Sequence, residues 1–104
     1  MTNLYLLIAP PFTLGAVVAT PGVIKRVPLS RSRECLQQHV RGDWGCVPAD
    51  DAQQNNEALI HGDRILSAYL IEPDKPKGER NGNVFWIITE ADRSVTTLLL
   101  PSEY

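Results

Sequence analysis

The feature that most constrains this chain is its C-terminal run, Phe85 to Tyr104, FWIITEADRSVTTLLLPSEY. Two apolar stretches, Phe85–Ile88 and Val95–Leu100, flank a polar centre, Thr89-Glu90-Ala91-Asp92-Arg93-Ser94. Aromatic and β-branched runs separated by a short charged turn read as a β-hairpin. Its arms are apolar on both sides, so the hairpin belongs inside a sheet, with other elements packed against it.

The upstream residues supply those elements. Arg64–Ile71 reads as a further strand. Between it and the hairpin, residues 72–83 hold two prolines and two glycines among charged residues, the composition of a flexible loop. Phe12–Thr20 is a β-branched run closed by Pro21-Gly22 and is expected to be a first, central strand. Val23–Leu29 is a connector broken at Pro28. Ser30 caps a helix over 31–41, with Cys35, Leu36, His39 and Val40 on one face and Gly42 as its stop. Gly42-Asp43-Trp44-Gly45 is a turn. A second helix starts near Pro48–Asp51, where acidic residues suit the positive end of the helix dipole, and stops at Gly62. Its apolar stripe (Ala52, Ala58, Leu59, Ile60) is thin, which places it on the surface.

The order is therefore β-α-α-β-β-β. Segregated helices and strands indicate an α+β fold, here a four-stranded antiparallel sheet with two helices on one face. The 104 residues make one domain, 1–104, with residues 1–11 as an N-terminal arm. An antiparallel sheet with one wet face shows polar residues at every second strand position. This chain does not. Val84, Trp86 and Ile88 oppose Phe85 and Ile87, and Leu66, Ala68 and Leu70 oppose Ile65, Tyr69 and Ile71. The helices cover one face. The N-terminal arm, a second subunit or a protein partner is needed for the other.

Composition sets outer limits. A net charge of −2 is too mild for an acidic DNA mimic and lacks the basic excess usual in a nucleic-acid binder. A basic cluster, Lys25, Arg26, Arg31, Arg33 and Arg41, reads first as a solvated face and second as a nucleic-acid contact. Leu4–Ile8 is apolar but too short to span a bilayer, and it lacks the flanks of a signal peptide. The expectation is a cytoplasmic protein that makes no membrane contact and whose Cys35 and Cys46 are reduced.

The segments LGAVVATPG (14–22), HVRGDWG (39–45), NEALIHGDRILSAY (56–69) and WIITEADRSVTTLLLPSEY (86–104) resemble a family of small bacterial proteins found on plasmids, genomic islands and other integrative elements. Members carry labels such as "plasmid-related protein" or "type I restriction endonuclease subunit M". The resemblance runs from Leu14 onward and implies a mobile-element setting without an established biochemistry. The restriction label does not suit this chain: a methyltransferase needs a larger cofactor domain, and no Gly-rich cofactor loop follows a strand here. The chain departs from the family pattern in its longer 72–83 loop and at Cys46, where relatives tend to carry an acidic residue.

Several constellations are candidates for chemistry or binding. Cys35, His39, Cys46 and His61 contain metal-ligating types, but their spacing, C-x3-H-x6-C-x14-H, matches no standard zinc knuckle. No metal and no cofactor is expected. Asp43 and Trp44 offer a carboxylate and an indole in a turn, either to grip a partner or to cap and pack locally. The hairpin tip, Thr89, Glu90, Asp92 and Arg93 with Ser94, Thr96 and Thr97, is the densest polar group; it reads as a binding site or as a charged turn.

At the level of fold order alone, β-α-α-β-β-β also describes RelE-like and barnase-like ribonucleases. His39, Arg64, Tyr69 and Arg93 are the catalytic candidates under that analogy, with Ser67 beside them. The leading expectation is a non-enzymatic accessory protein of a mobile element that binds a protein partner, or itself, through the second apolar sheet face and the Gly42–Gly45 turn. A small ribonuclease is the alternative. A nucleic-acid-binding regulator using the basic stretch is a weaker one.

Overall fold

A computed structural model describes residues 11–104. The expected N-terminal arm, 1–11, lies outside the described residues except for Pro11. The elements are β1 (Ala16–Ala19), α1 (Pro21–Arg26), α2 (Leu29–Val40), α3 (Ala49–His61), β2 (Ile65–Leu70), β3 (Val84–Thr89) and β4 (Val95–Leu99). Single 3-10 turns follow at Glu79–Asn81 and Pro101–Glu103.

The fold is α+β, and it corrects the expected topology in two ways. The sheet order is β1-β4-β3-β2, with β2, β3 and β4 antiparallel and β1 parallel to β4. The sheet is therefore mixed. The helical segment after β1 returns the chain to its starting end, so β2 runs in the same direction as β1. Two hairpin reversals later, β4 shares that direction. A first strand laid beside β4 is then parallel to it. β1 also forms an edge and is shorter than expected, while the C-terminal hairpin occupies the centre.

The second correction is a third helix. Residues 21–26, expected as a turn and connector, form α1. The Thr20 hydroxyl accepts a hydrogen bond from the Val23 amide, and Pro21 supplies a preset φ at the first helical position. α2 begins at Leu29 behind Pro28 and makes no use of Ser30 as a cap. α3 matches its expected limits, with Gly62 at φ +75° closing it.

All three helices pack on one sheet face. Val23, Val27 and Cys35 form a core with Tyr69, Ile71, Phe85, Ile87, Leu98 and Leu100. A second cluster joins Phe12, Trp44 and Ala58 to Ile65. On the other face Ala68, Val84, Ile88 and Leu99 are also buried, at 3–7% exposure. Trp86 there packs edge-on against Tyr104, with ring centroids 5.6 Å apart. An open pocket of about 370 Å³ remains on that face, lined by Leu66, Ala68, Val84 and Trp86 with Val47 and Lys77. The 72–83 loop is organised by Asn83, whose amide nitrogen donates to the carbonyls of Glu72, Lys75 and Pro76.

Candidate functional site

The polar residues singled out by the sequence are brought into two structural networks. The first is a buried chain of hydrogen bonds. His39 enters the sheet face from α2 and is fully buried, as are Ser67, Thr89 and Thr96. Its Nδ1 lies 2.5 Å from the Ser67 hydroxyl and its Nε2 2.8 Å from that of Thr89. Thr89 continues to Thr96 at 2.7 Å, and Thr96 donates to the Leu14 carbonyl at 2.7 Å.

That carbonyl accepts only, which orients the whole chain. Thr96 gives its proton to Leu14, so Thr89 must donate to Thr96, and Nε2–H of His39 must donate to Thr89. The Ser67 hydroxyl then donates to a bare Nδ1. A neutral imidazole satisfies every member. Burial holds the His39 pKa down near 4, with the nearby Arg93 charge adding to the effect. His39 is thus a structural bridge between α2, β2 and β3, enclosed by the rings of Phe12 and Trp44 at 5.2 and 6.0 Å.

The second network is built on Arg93. This residue sits at φ +61° in the hairpin tip, and its guanidinium donates to the carbonyls of Asp63, Glu90 and Ala58. It closes the C-terminal end of α3 onto the tip and lies over the Phe12 ring, 5.7 Å from its centroid. Asp92 is exposed and receives the Ser94 amide, and Glu90 is half-buried. The tip is a self-contained turn.

The four ribonuclease candidates do not line one cleft. His39 and Tyr69 are buried under the helices, and the Tyr69 hydroxyl donates to the Asp43 carbonyl at 2.6 Å. Arg93 reaches three carbonyls on the far side of Phe12. Arg64 is exposed and donates to the Tyr104 hydroxyl at 2.5 Å. Trp44, half of the binding pair expected in the turn, is buried and donates its indole N–H to Asn56. The exposed Asp43 carboxylate accepts from Gln38 and the Gly45 amide. Cys35 is buried, which pushes its thiol up to about 12. Among the described residues no three His, Cys, Asp or Glu side chains are placed to hold a metal ion.

Sequence reasoning missed the contrast between the two sheet edges. An edge strand presents a row of unpaired main-chain groups that invites another strand. At β2 these groups are occupied by the fold itself. Asn55 of α3 holds both the N–H and the C=O of Leu66, at 3.2 and 2.7 Å. Ala68 bonds to the Trp44 carbonyl and the Cys46 amide, and the Leu70 carbonyl accepts from Arg31.

At β1 no such cover exists among the described residues. The Ala16 and Thr20 amides bond inward to β4, so alternation directs the N–H and C=O of Val17 and Ala19 outward. All four residues of β1 are exposed, Val17 and Val18 at 45% and 47%. Beside the strand runs an apolar groove of about 360 Å³, lined by Val17, Val18, Ile24, Val27, Leu29 and Leu36 among others. The signal readable in sequence was the uncharged run Ala16–Ala19, followed closely by the apolar Val23 and Ile24.

In comparisons with known proteins, no family model, no curated protein and no solved structure matches this chain. No helix among the described residues is long and apolar enough to cross a membrane.

Proposed function

We propose that this chain is a non-enzymatic protein-binding module that works by engaging a protein partner or a second copy of itself. One observation carries this reading: β2 is covered by three separate devices, whereas β1 is bare among the described residues and lies beside an apolar groove. A fold that occupies most of one edge and, among the described residues, leaves the other open and uncharged has a strand-accepting surface. The mobile-element setting, and with it a bacterial cytoplasmic location, belongs to the same proposal and rests on the resemblance of the four segments from Leu14 onward. The ribonuclease reading gains no support from the geometry, because the side chains it needs are spent on internal hydrogen bonds.

The test is site-specific photo-crosslinking in a bacterial host, with a photoreactive residue at Val17 or Val18 and a control at the exposed Gln54 of α3. Adducts of discrete mass are expected from β1 and none from Gln54. Equal, diffuse labelling at both places counts against the reading. Growth arrest on expression, together with cleavage of RNA by the purified chain, would replace it with the ribonuclease.

A further inference from the structure

We infer that the open edge of β1 accepts an extended partner peptide, added as a fifth strand, whose groove-facing residues, every second one, are apolar with Asp or Glu among them. This rests on the protein-binding reading above and names the class of ligand. Three observations define that class. The outward N–H and C=O groups of Val17 and Ala19 ask for a main-chain partner in strand conformation. The groove beside them takes apolar side chains. Its exposed walls include Ile24, 71% exposed, and Leu29, 65% exposed. Alternate residues of an added strand point to the same side, so every second ligand side chain enters this groove.

Charge supplies the third observation. Arg33 lines the groove and Lys25 adjoins Ile24, both exposed and neither in an ion pair among the described residues. No carboxylate lines the groove. The nearest ones in sequence are engaged elsewhere: Glu34 with Arg31, and Glu103 with the Thr20 hydroxyl and the amides of Gly22 and Leu100. A second copy paired through β1 would bring a like-charged rim to this one. A peptide with Asp or Glu in the same alternate row as its apolar residues meets the rim with opposite charge.

The experiment selects a displayed library of random dodecapeptides against the full chain and measures the winners by fluorescence anisotropy. Enrichment of peptides that carry apolar residues together with Asp or Glu at every second position is expected. Val17→Pro should weaken the selected peptide at least tenfold, because it deletes an outward N–H that β4 does not use. Arg33→Glu, an exposed change that leaves every described hydrogen bond intact, should weaken it about tenfold and flatten its salt dependence. It keeps the test decisive if Val17→Pro fails to fold. Three results overturn the inference: no enrichment over bare support, winners without acidic residues, or affinity unchanged by Arg33→Glu. A concentration-dependent dimer abolished by Val17→Pro also overturns it, in favour of a second copy, while sparing the protein-binding reading. If photo-crosslinks at Val17 are absent as well, both fall.

Discussion

The side-chain amide of Asn55 makes both of the hydrogen bonds that a neighbouring strand would make to Leu66. A single helical residue thereby substitutes for a missing strand at one edge of the sheet. Asn55→Leu keeps a similar volume but leaves the Leu66 N–H and C=O without partners. Each orphaned buried main-chain group costs roughly 1–3 kcal/mol. A loss of about 2–4 kcal/mol in urea denaturation is expected from the pair. Light scattering should also show a rise in aggregation, since a second sheet edge is then open. An Asn55→Leu chain as stable as the parent would show that the amide does not seal the edge.

Much of this architecture was legible in the residues, and the gaps have physical causes. The hairpin, β2 and the Gly62 stop follow from local chemistry: apolar runs, turn residues and a left-handed cap. The parallel pairing of β1 is not a local property, because nothing within Ala16–Ala19 encodes its neighbour. α1 was hidden because Pro21-Gly22 reads equally as a turn and as the first turn of a helix; Thr20 as its cap was the available clue. Thr89 was grouped with the exposed tip because it is polar and ends a strand. Its parity with Phe85 and Ile87 already placed it on the helix-covered face. Asn55 interrupts the thin apolar stripe of α3 between Ala52 and Ala58, and a buried polar residue in such a stripe must find a partner.

The buried imidazole makes stability depend on pH. In the unfolded chain His39 takes up a proton near pH 6.5, and in the fold only near 4. Between those values the unfolded state binds more protons than the native state, so stability falls as pH is lowered from 6.5 towards 4. The interval corresponds to roughly 3 kcal/mol at pH 4. His39→Gln removes this titration, so its stability should fall less steeply over the window, although its absolute stability near neutral pH is lower. Urea denaturation at half-unit pH steps decides the point: parallel curves for parent and variant would mean that His39 is not the titrating group.

Gly45 sits where the 42–45 turn meets the β2 edge. Its φ is +73°, and a Cβ there would lie 1.9 Å from the Ala68 carbonyl oxygen. Gly45→Ala therefore combines left-handed strain with loss of the Trp44–Ala68–Cys46 bridge, a cost of about 3 kcal/mol or more. Gly62 has nearly the same φ, +75°, but open space around it. Gly62→Ala should cost only about 1–2 kcal/mol, the conformational strain alone. Thermal melts of the two variants separate the close approach from the backbone preference; equal losses would deny the approach any role.

Arg93 tests whether the hairpin tip is a site or a fastening. Its side chain ties three carbonyls together, while its backbone occupies the left-handed region at φ +61°, which a β-carbon disfavours. The two contributions oppose each other and can be separated by substitution. Arg93→Ala loses the guanidinium and keeps the strain, so destabilisation of roughly 2–3 kcal/mol is expected. Arg93→Gly loses the same hydrogen bonds but relieves the strain, and should recover about 1 kcal/mol relative to Ala. Arg93→Lys keeps the charge but cannot reach three acceptors with one ammonium in the same plane, so it should behave more like Ala than like Arg. If the selected β1 peptide binds all three variants with unchanged affinity while their melting temperatures fall in the order Arg, Gly, Ala, the tip is a fastening. A loss of peptide affinity that does not follow the loss of stability would make it part of the binding surface.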